Sequence, residues 1–236
     1  TVVADADLQN LTGLPTGTAA LRMSDIASGG ATIPQAQADL RLDQAEGALQ
    51  AALDASVPTV ALDGGRLGPV TLTATAADAL GGNPALDARL DVGGGTVGTV
   101  EIAGAGLTAQ GTLADMALAL EARATMEEQP AAVRAAATLD ATDTGQIEAE
   151  LTRLEANLGD FETRTTRPAR LRLGAETAVE GFQLALPGGA LRAEARQAGG
   201  GATARLDLEL SDILPIAELT GLPLTGGALS TQLDLD

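Results

Sequence analysis

Three short stretches of the sequence contain residues whose types and spacing could do chemistry. The first is GGGTVG at 93–98, in which Gly93, Gly95 and Gly98 satisfy the GxGxxG spacing of dinucleotide-binding loops. In such a loop the glycines let the backbone approach a pyrophosphate, and the N-terminus of a helix must follow. Here TVEIAG follows and indicates a strand. We therefore interpret these glycines as part of a turn.

The second stretch is DATDTGQIE at 140–148, which has the oxygen-bearing side chains that Ca²⁺ prefers. Asp140, Asp143, Gly145 and Glu148 loosely resemble a calcium loop. Their spacing does not match an EF-hand, in which ligands come from fixed positions of a 12-residue loop. The stretch is better interpreted as a solvated turn.

The third stretch is TRTTRPARLR at 163–172, which concentrates Arg164, Arg167, Arg170 and Arg172. Such a group could bind lipid phosphates. Arginine on the solvent face of alternating strands is the commoner explanation, and we favour it here.

The composition excludes most other chemistry. The chain has no histidine, cysteine or lysine, which removes nucleophile–histidine pairs, ordinary zinc sites, Schiff bases and P-loops. Carboxylate pairs for glycoside hydrolysis remain, but sugar sites use aromatic platforms, and Phe161 and Phe182 are the only rings. A net charge of −18 argues against a nucleic-acid partner. We predict a protein that is not an enzyme and has no cofactor or metal.

The surrounding sequence predicts an all-β protein. Apolar residues alternate with polar ones, as in ARLDLEL at 204–210, where Leu206, Leu208 and Leu210 fall on one side of an extended chain. Glycine-rich turn signals such as DGGRLGP, GGNP, GGGT and AGGG recur about every ten residues. Two segments, 44–55 and 147–158, also fit helical spacing, and periodicity alone leaves 147–158 open between helix and strand.

The chain is predicted to form a single elongated β domain over 1–236. Both ends interrupt the alternating pattern, so we expect a section of a longer chain. LTGLPTGTAAL at 11–21 resembles LTGLPLTGGAL at 219–229, a faint sign of a two-fold repeat over about 1–110 and 111–236.

The C-terminal third resembles a known family. The resemblance rests on three segments: TRPARLRL at 166–173, VEGFQLALPGGALRAEAR at 179–196 and ARLDLELSDILPIAELTGLPLTGGALS at 204–230. Together they resemble a strand opening after a Pro-Ala step, a hairpin, and a strand with a leucine-rich crossover in the C-terminal region of TamB-type proteins. These are subunits of the translocation and assembly module and are related to AsmA-like lipid-transfer proteins.

The resemblance implies a fold and a role. The fold is a curled, elongated sheet, a β-taco or open solenoid-like trough with an apolar inner face, and it favours strand at 147–158. The role is a periplasmic bridge, anchored to the inner membrane by a segment outside this sequence, that works with the outer-membrane barrel protein TamA. The expected cargo is phospholipid or the strands of client outer-membrane proteins.

Alternation supports a groove independently of the resemblance, because a curled sheet needs one apolar face for its interior. The leucines that we predict to line the groove are Leu40, Leu42, Leu72, Leu118, Leu120, Leu171, Leu173, Leu184, Leu186, Leu206, Leu208 and Leu210. One alternative is a structural β-solenoid of the adhesin type, in which the leucines pack on one another and leave no groove. Another is an acidic all-β domain whose sequence indicates no role.

Overall fold

The computed structural model of the 236-residue chain describes residues 1–10, 12–28, 30–143, 145–215 and 226–235. Within these ranges the protein is all-β, with nineteen strands joined by antiparallel ladders. Helical backbone occurs there only at Leu214 and Pro215. The all-β prediction is confirmed. The leucine-rich crossover noted in the sequence lies largely outside the described residues.

The chain divides into two compact units, Thr1–Glu128 and Gln129–Asp236, here called unit 1 and unit 2. The strands of unit 1 are β1 Val2–Gln9, β2 Thr16–Ser28, β3 Ala31–Ala45, β4 Ala48–Val57, β5 Val60–Leu62, β6 Gly65–Leu67, β7 Val70–Ala77, β8 Ala85–Val92, β9 Gly95–Val97, β10 Val100–Thr112 and β11 Asp115–Met126. The strands of unit 2 are β12 Gln129–Asp143, β13 Gln146–Leu158, β14 Phe161–Thr165, β15 Ala169–Gly174, β16 Thr177–Leu186, β17 Gly189–Ala198, β18 Gly201–Leu210 and β19 Leu229–Leu235.

Unit 1 is an up-and-down meander in which several long strands are interrupted. β3 pairs with β4 along one part and with β5 along the other, and β10 pairs likewise with β8 and β9. β4 and β5 are therefore successive halves of one strand position, as are β6 and β7, and β8 and β9. In unit 2, β13 pairs with both β14 and β15, which form another interrupted strand.

Both segments with helical spacing are strands. The 147–158 segment belongs to β13, and 44–55 contains the end of β3, a turn at Glu46–Gly47 and most of β4. Leu154, Ala156 and Leu158 pair with β12 residues on one face. Ladder bonds and a shared apolar face thus override the helix preference of alanine and leucine.

The interruptions of unit 1 lie at one level across adjacent strands. β2 and β3 pair up to Ser24 with Gln35 and resume at Ile26 with Ile33. At the same level the β10–β11 register skips one β10 residue, Ala103. Six consecutive strand positions each carry extra residues there: Asp25, Pro34, Pro58–Thr59, Gly68–Pro69, Gly93–Gly94 and Ala103. We call this line the unit 1 corner.

Unit 2 contains a shorter line of the same kind, the unit 2 corner. β13 carries a bulge at Thr152, and β14 is separated from β15 by Thr166–Pro168. β16 carries a bulge at Glu180–Gly181. Side chains replace lost ladder bonds: Thr165 Oγ1 accepts from the Leu154 amide at 2.9 Å, and Arg167 Nε donates to the Gly181 carbonyl at 3.1 Å.

Candidate functional site

One face of unit 1 is aliphatic across the sheet. The ladder registers align side chains in rows that run across the strands, and the row through Leu40 continues through Leu53, Ala74, Ala88 and Ala109 to Leu118. A second row joins Leu42 to Leu86 and Met116, and a third joins Leu72 to Leu90, Leu107 and Leu120. We call this surface the unit 1 apolar face.

Unit 2 has a comparable surface, the unit 2 apolar face. Leu184 pairs with Leu191, which pairs with Leu208 in the next strand. Leu206 pairs with Ala193 and Leu233, and Leu171 pairs with Ala149 and Val179.

The predicted groove-lining leucines therefore share faces within each unit. Leu40, Leu42, Leu72, Leu118 and Leu120 lie on the unit 1 apolar face. The seven others, Leu171, Leu173, Leu184, Leu186, Leu206, Leu208 and Leu210, lie on the unit 2 apolar face. That these leucines line a groove remains a prediction.

The side chains of the apolar faces are only partly buried and keep some contact with solvent. Along β7 every apolar-face residue from Val70 to Ala76 is half-buried, whereas Thr71, Thr73 and Thr75 on the other face are exposed. Yet Leu107 and Leu120 each keep 37% of their surface exposed. Among the described residues no large side chain is fully buried. The aliphatic surface is thus partly sheltered and still accessible.

At the unit 1 corner the two sides of the sheet differ sharply in exposure. Pro34, Pro58, Pro69, Gly94 and Ala103, which belong to the inserted positions, are exposed. On the apolar side, by contrast, Ala36 is only 6% exposed. The unit 2 corner repeats the arrangement: Pro168 is exposed, and the adjacent Ala169, paired with Leu151, is 1% exposed.

Close backbone contacts hold the unit 1 corner. The Gly93 amide donates to the Pro69 carbonyl at 2.6 Å. A Cβ at Gly93 would lie 2.6 Å from Pro69 Cδ, and a Cβ at Gly68 would lie 2.5 Å from the Pro58 carbonyl oxygen. Only glycine fits at these two positions without displacing the neighbouring strand.

The opposite faces carry charge. Arg89 bonds Asp91 at 2.6 Å and holds the pKa of that carboxyl below its ordinary value. Arg153 does the same for Glu155. These pairs are largely solvent-exposed, so they contribute little to stability. Asp39 and Asp54 lie directly opposite each other on β3 and β4; we call them the opposed acid pair.

The sequence stretches with potential chemistry have structural roles here. Gly93 lies in the unit 1 corner, Gly95 begins β9, and Gly98 turns the chain into the strand β10. Asp140 accepts bonds from the amide and hydroxyl of Thr142, which lower the pKa of its carboxyl. Asp143 accepts a bond from the Gly145 amide at 2.8 Å.

The arginine group is spread over the polar face of unit 2. Arg172 lies 3.5 Å from both Glu148 and Glu180, and Arg170 pairs across the ladders with Glu150 and Glu180. Within the described ranges no cluster of three or more acidic side chains is placed to hold a metal ion. In that same part of the chain, no helix has the length and apolarity to cross a bilayer.

Comparison of the chain with protein-family models, curated proteins and solved structures gives no match.

Proposed function

We propose that this chain is a section of a periplasmic bridge whose apolar faces conduct phospholipid acyl chains toward the outer membrane. The observation that carries the proposal is the unit 1 apolar face, which is aliphatic over successive strands and remains accessible. The periplasmic location, the inner-membrane anchor and the barrel partner TamA rest on the resemblance to TamB-type proteins.

The corners support a trough that is concave on its apolar side. A β-bulge bends its strand, and bulges at one level in adjacent strands bend a sheet as a whole. Most of the inserted residues of the unit 1 corner are exposed and the others, Thr59, Gly68 and Gly93, are half-buried, while Ala36 and Ala169 are buried. Exposed insertions belong on the outside of a bend and buried small residues on its inside. Each unit would thus curl around its own apolar face.

An aliphatic trough suits acyl chains in particular. Burying a CH₂ group is worth about 0.8 kcal/mol, so a tail of about twelve methylenes would cost about 10 kcal/mol to expose to water. The rows through Leu40, Leu42 and Leu72 contain aliphatic side chains, glycine and one methionine, Met116, across β3 to β11. Without polar groups to fix a tail, its affinity stays similar along the face, and the tail can slide.

A polypeptide cargo fits the face less well. An extended client strand has an amide and a carbonyl on every residue, and these groups lose free energy when buried without partners. The apolar faces offer them no donors or acceptors. A client strand would bind at a sheet edge instead, where ladder bonds are open.

The structural solenoid differs in one observable respect. A filled solenoid packs its leucines against one another until they are buried. Leu120 and Leu206 are each 37% exposed, although Leu49 and Leu210 are buried, each only 5% exposed. This exposure supports the conduit over the filled solenoid.

Native mass spectrometry of the purified protein tests the proposal, with two neighbouring substitutions on β11. We expect phospholipid to co-purify with the wild type. Leu118→Asp places a charge on the unit 1 apolar face and should lower the amount of bound lipid. The matched variant Ala119→Asp places the same charge on the exposed opposite face, across from Thr108, and should retain it.

Far-UV circular dichroism would check that both variants keep their strand content. A wild-type protein free of lipid would overturn the proposal and favour the structural solenoid. Equal lipid loss in two folded variants would show that lipid does not bind through the unit 1 apolar face.

A further inference from the structure

We propose that the unit 1 corner is the track on which a phospholipid tail lies, running across the strands. This inference rests on the proposed function and locates the tail within the trough. The predicted groove leucines of unit 1 lie farther along the strands, outside the corner. The residues of the track are Val57, Val70 and Val92 on one wall and Val60, Leu67 and Ile102 on the other.

The two walls are continuous rows. Val57 pairs with Val70, which pairs with Val92. On the far side of the inserted residues, Val60 pairs with Leu67, and Gly95 stands between Leu67 and Ile102. These side chains are all half-buried. Gly95 has no side chain, and a Cβ there would overlap the Arg66 carbonyl oxygen, so the backbones of β6 and β9 approach closely at the centre of this wall.

The side chains that line the track are suited to contact a saturated acyl chain. Every side chain in the two rows ends in methyl groups, and five of the six are valine or isoleucine, whose χ1 angles are stiff. No hydroxyl, amide or charge faces the bend from these rows. A polar head group would find no partner there, so it must remain at the rim, in water.

The bend of the sheet at the unit 1 corner also increases the contact area between a bound tail and the protein. A tail on a flat sheet touches side chains on one side only, whereas a tail in a corner touches both walls. Binding by apolar surfaces scales with the area removed from water. The corner should therefore hold a tail more tightly than the rows through Leu40 and Leu42.

The length of the track matches one tail. The walls of the track cross four adjacent strand positions, from β4 and β5 to β10, which at ladder spacing span about 14 Å. A bilayer core of about 30 Å contains two layers of tails, so one tail extends about 15 Å. A tail of this length is therefore covered by the two walls of the track.

Photo-crosslinking of the full chain to vesicles tests the track. A small diazirine-bearing aliphatic residue would replace Val92 in the corner, Leu42 on the unit 1 apolar face, or Thr71 on the polar face. The vesicles would contain phosphatidylethanolamine and phosphatidylglycerol. We expect about threefold more lipid adduct at Val92 than at Leu42, because two walls cover more of the tail than one, and none at Thr71.

The outcomes separate this inference from the proposed function. Adduct at Leu42 equal to or above that at Val92 would overturn the corner track and leave the conduit intact. No adduct at either position would contradict both. Should the Val92 protein fail to fold by circular dichroism, Val70 on the same wall replaces it, with the same expectation.

Discussion

Gly93→Ala is the most informative single substitution, because it tests whether the unit 1 corner is held by close packing. The new Cβ would lie 2.6 Å from Pro69 Cδ and 2.9 Å from Pro69 N. A proline ring and a backbone nitrogen cannot rotate away, so the strands must separate. Overpacking of this kind costs about 1–3 kcal/mol. The lower unfolded-state entropy of alanine returns about 0.4–1 kcal/mol, which leaves a net loss of about 0–2.6 kcal/mol, centred near 1 kcal/mol.

Gly82→Ala is the matched control. No heavy atom lies within 4 Å of a Cβ built there, and its φ is outside the left-handed region. The free energy of unfolding should therefore stay the same or rise by up to about 1 kcal/mol. Urea unfolding followed by far-UV circular dichroism measures both variants, since the chain has no tryptophan or tyrosine. A Gly93→Ala protein as stable as Gly82→Ala would refute the close packing of the corner.

Three further predictions concern the polar face and the unit 2 corner. Asp54→Asn relieves the opposed acid pair and should stabilise the fold by about 0.2–1 kcal/mol in urea unfolding, whereas Asp43→Asn, opposite a neutral residue, should not; equal effects would refute the repulsion. Arg89→Ala should raise the pKa of Asp91 in an NMR titration. Because the folded pKa is lowered, the stability that this carboxylate contributes is present above its ordinary pKa and lost as pH falls through the lowered value; an unchanged pKa would contradict the pairing. Thr165→Val leaves a β13 amide unpaired and should cost about 1–3 kcal/mol in the same unfolding assay; wild-type stability would show that another group replaces the hydroxyl.

The strands and their faces were predictable because alternation has a direct physical cause. Side chains of successive residues point to opposite faces, so Leu118 and Leu120 had to share one side once β11 formed. The strand at 147–158 was not decided by periodicity, because its leucines satisfy both periods. Pairing with β12 and β15 selected the strand, and the sequence of the segment alone does not contain that information.

The corners were not predicted, because glycine and proline mark turns and in-strand breaks alike. In DGGRLGP, Asp63 and Gly64 do form a turn, whereas Gly68 and Pro69 interrupt a strand position that continues beyond them. GGGT likewise has the composition of a turn, yet Gly93 and Gly94 separate β8 from β9 within one strand position. The valines and isoleucines of the corner are far apart in the sequence, and only the ladder registers bring them to one level.

The most direct test of the conduit is photo-crosslinking in living cells from Leu208 on the unit 2 apolar face. Its neighbour Glu209 is exposed on the opposite face and serves as the control. We expect a phospholipid adduct from position 208, identified by mass, and none from position 209. An adduct with polypeptide, or no adduct at 208, would contradict an acyl-chain conduit.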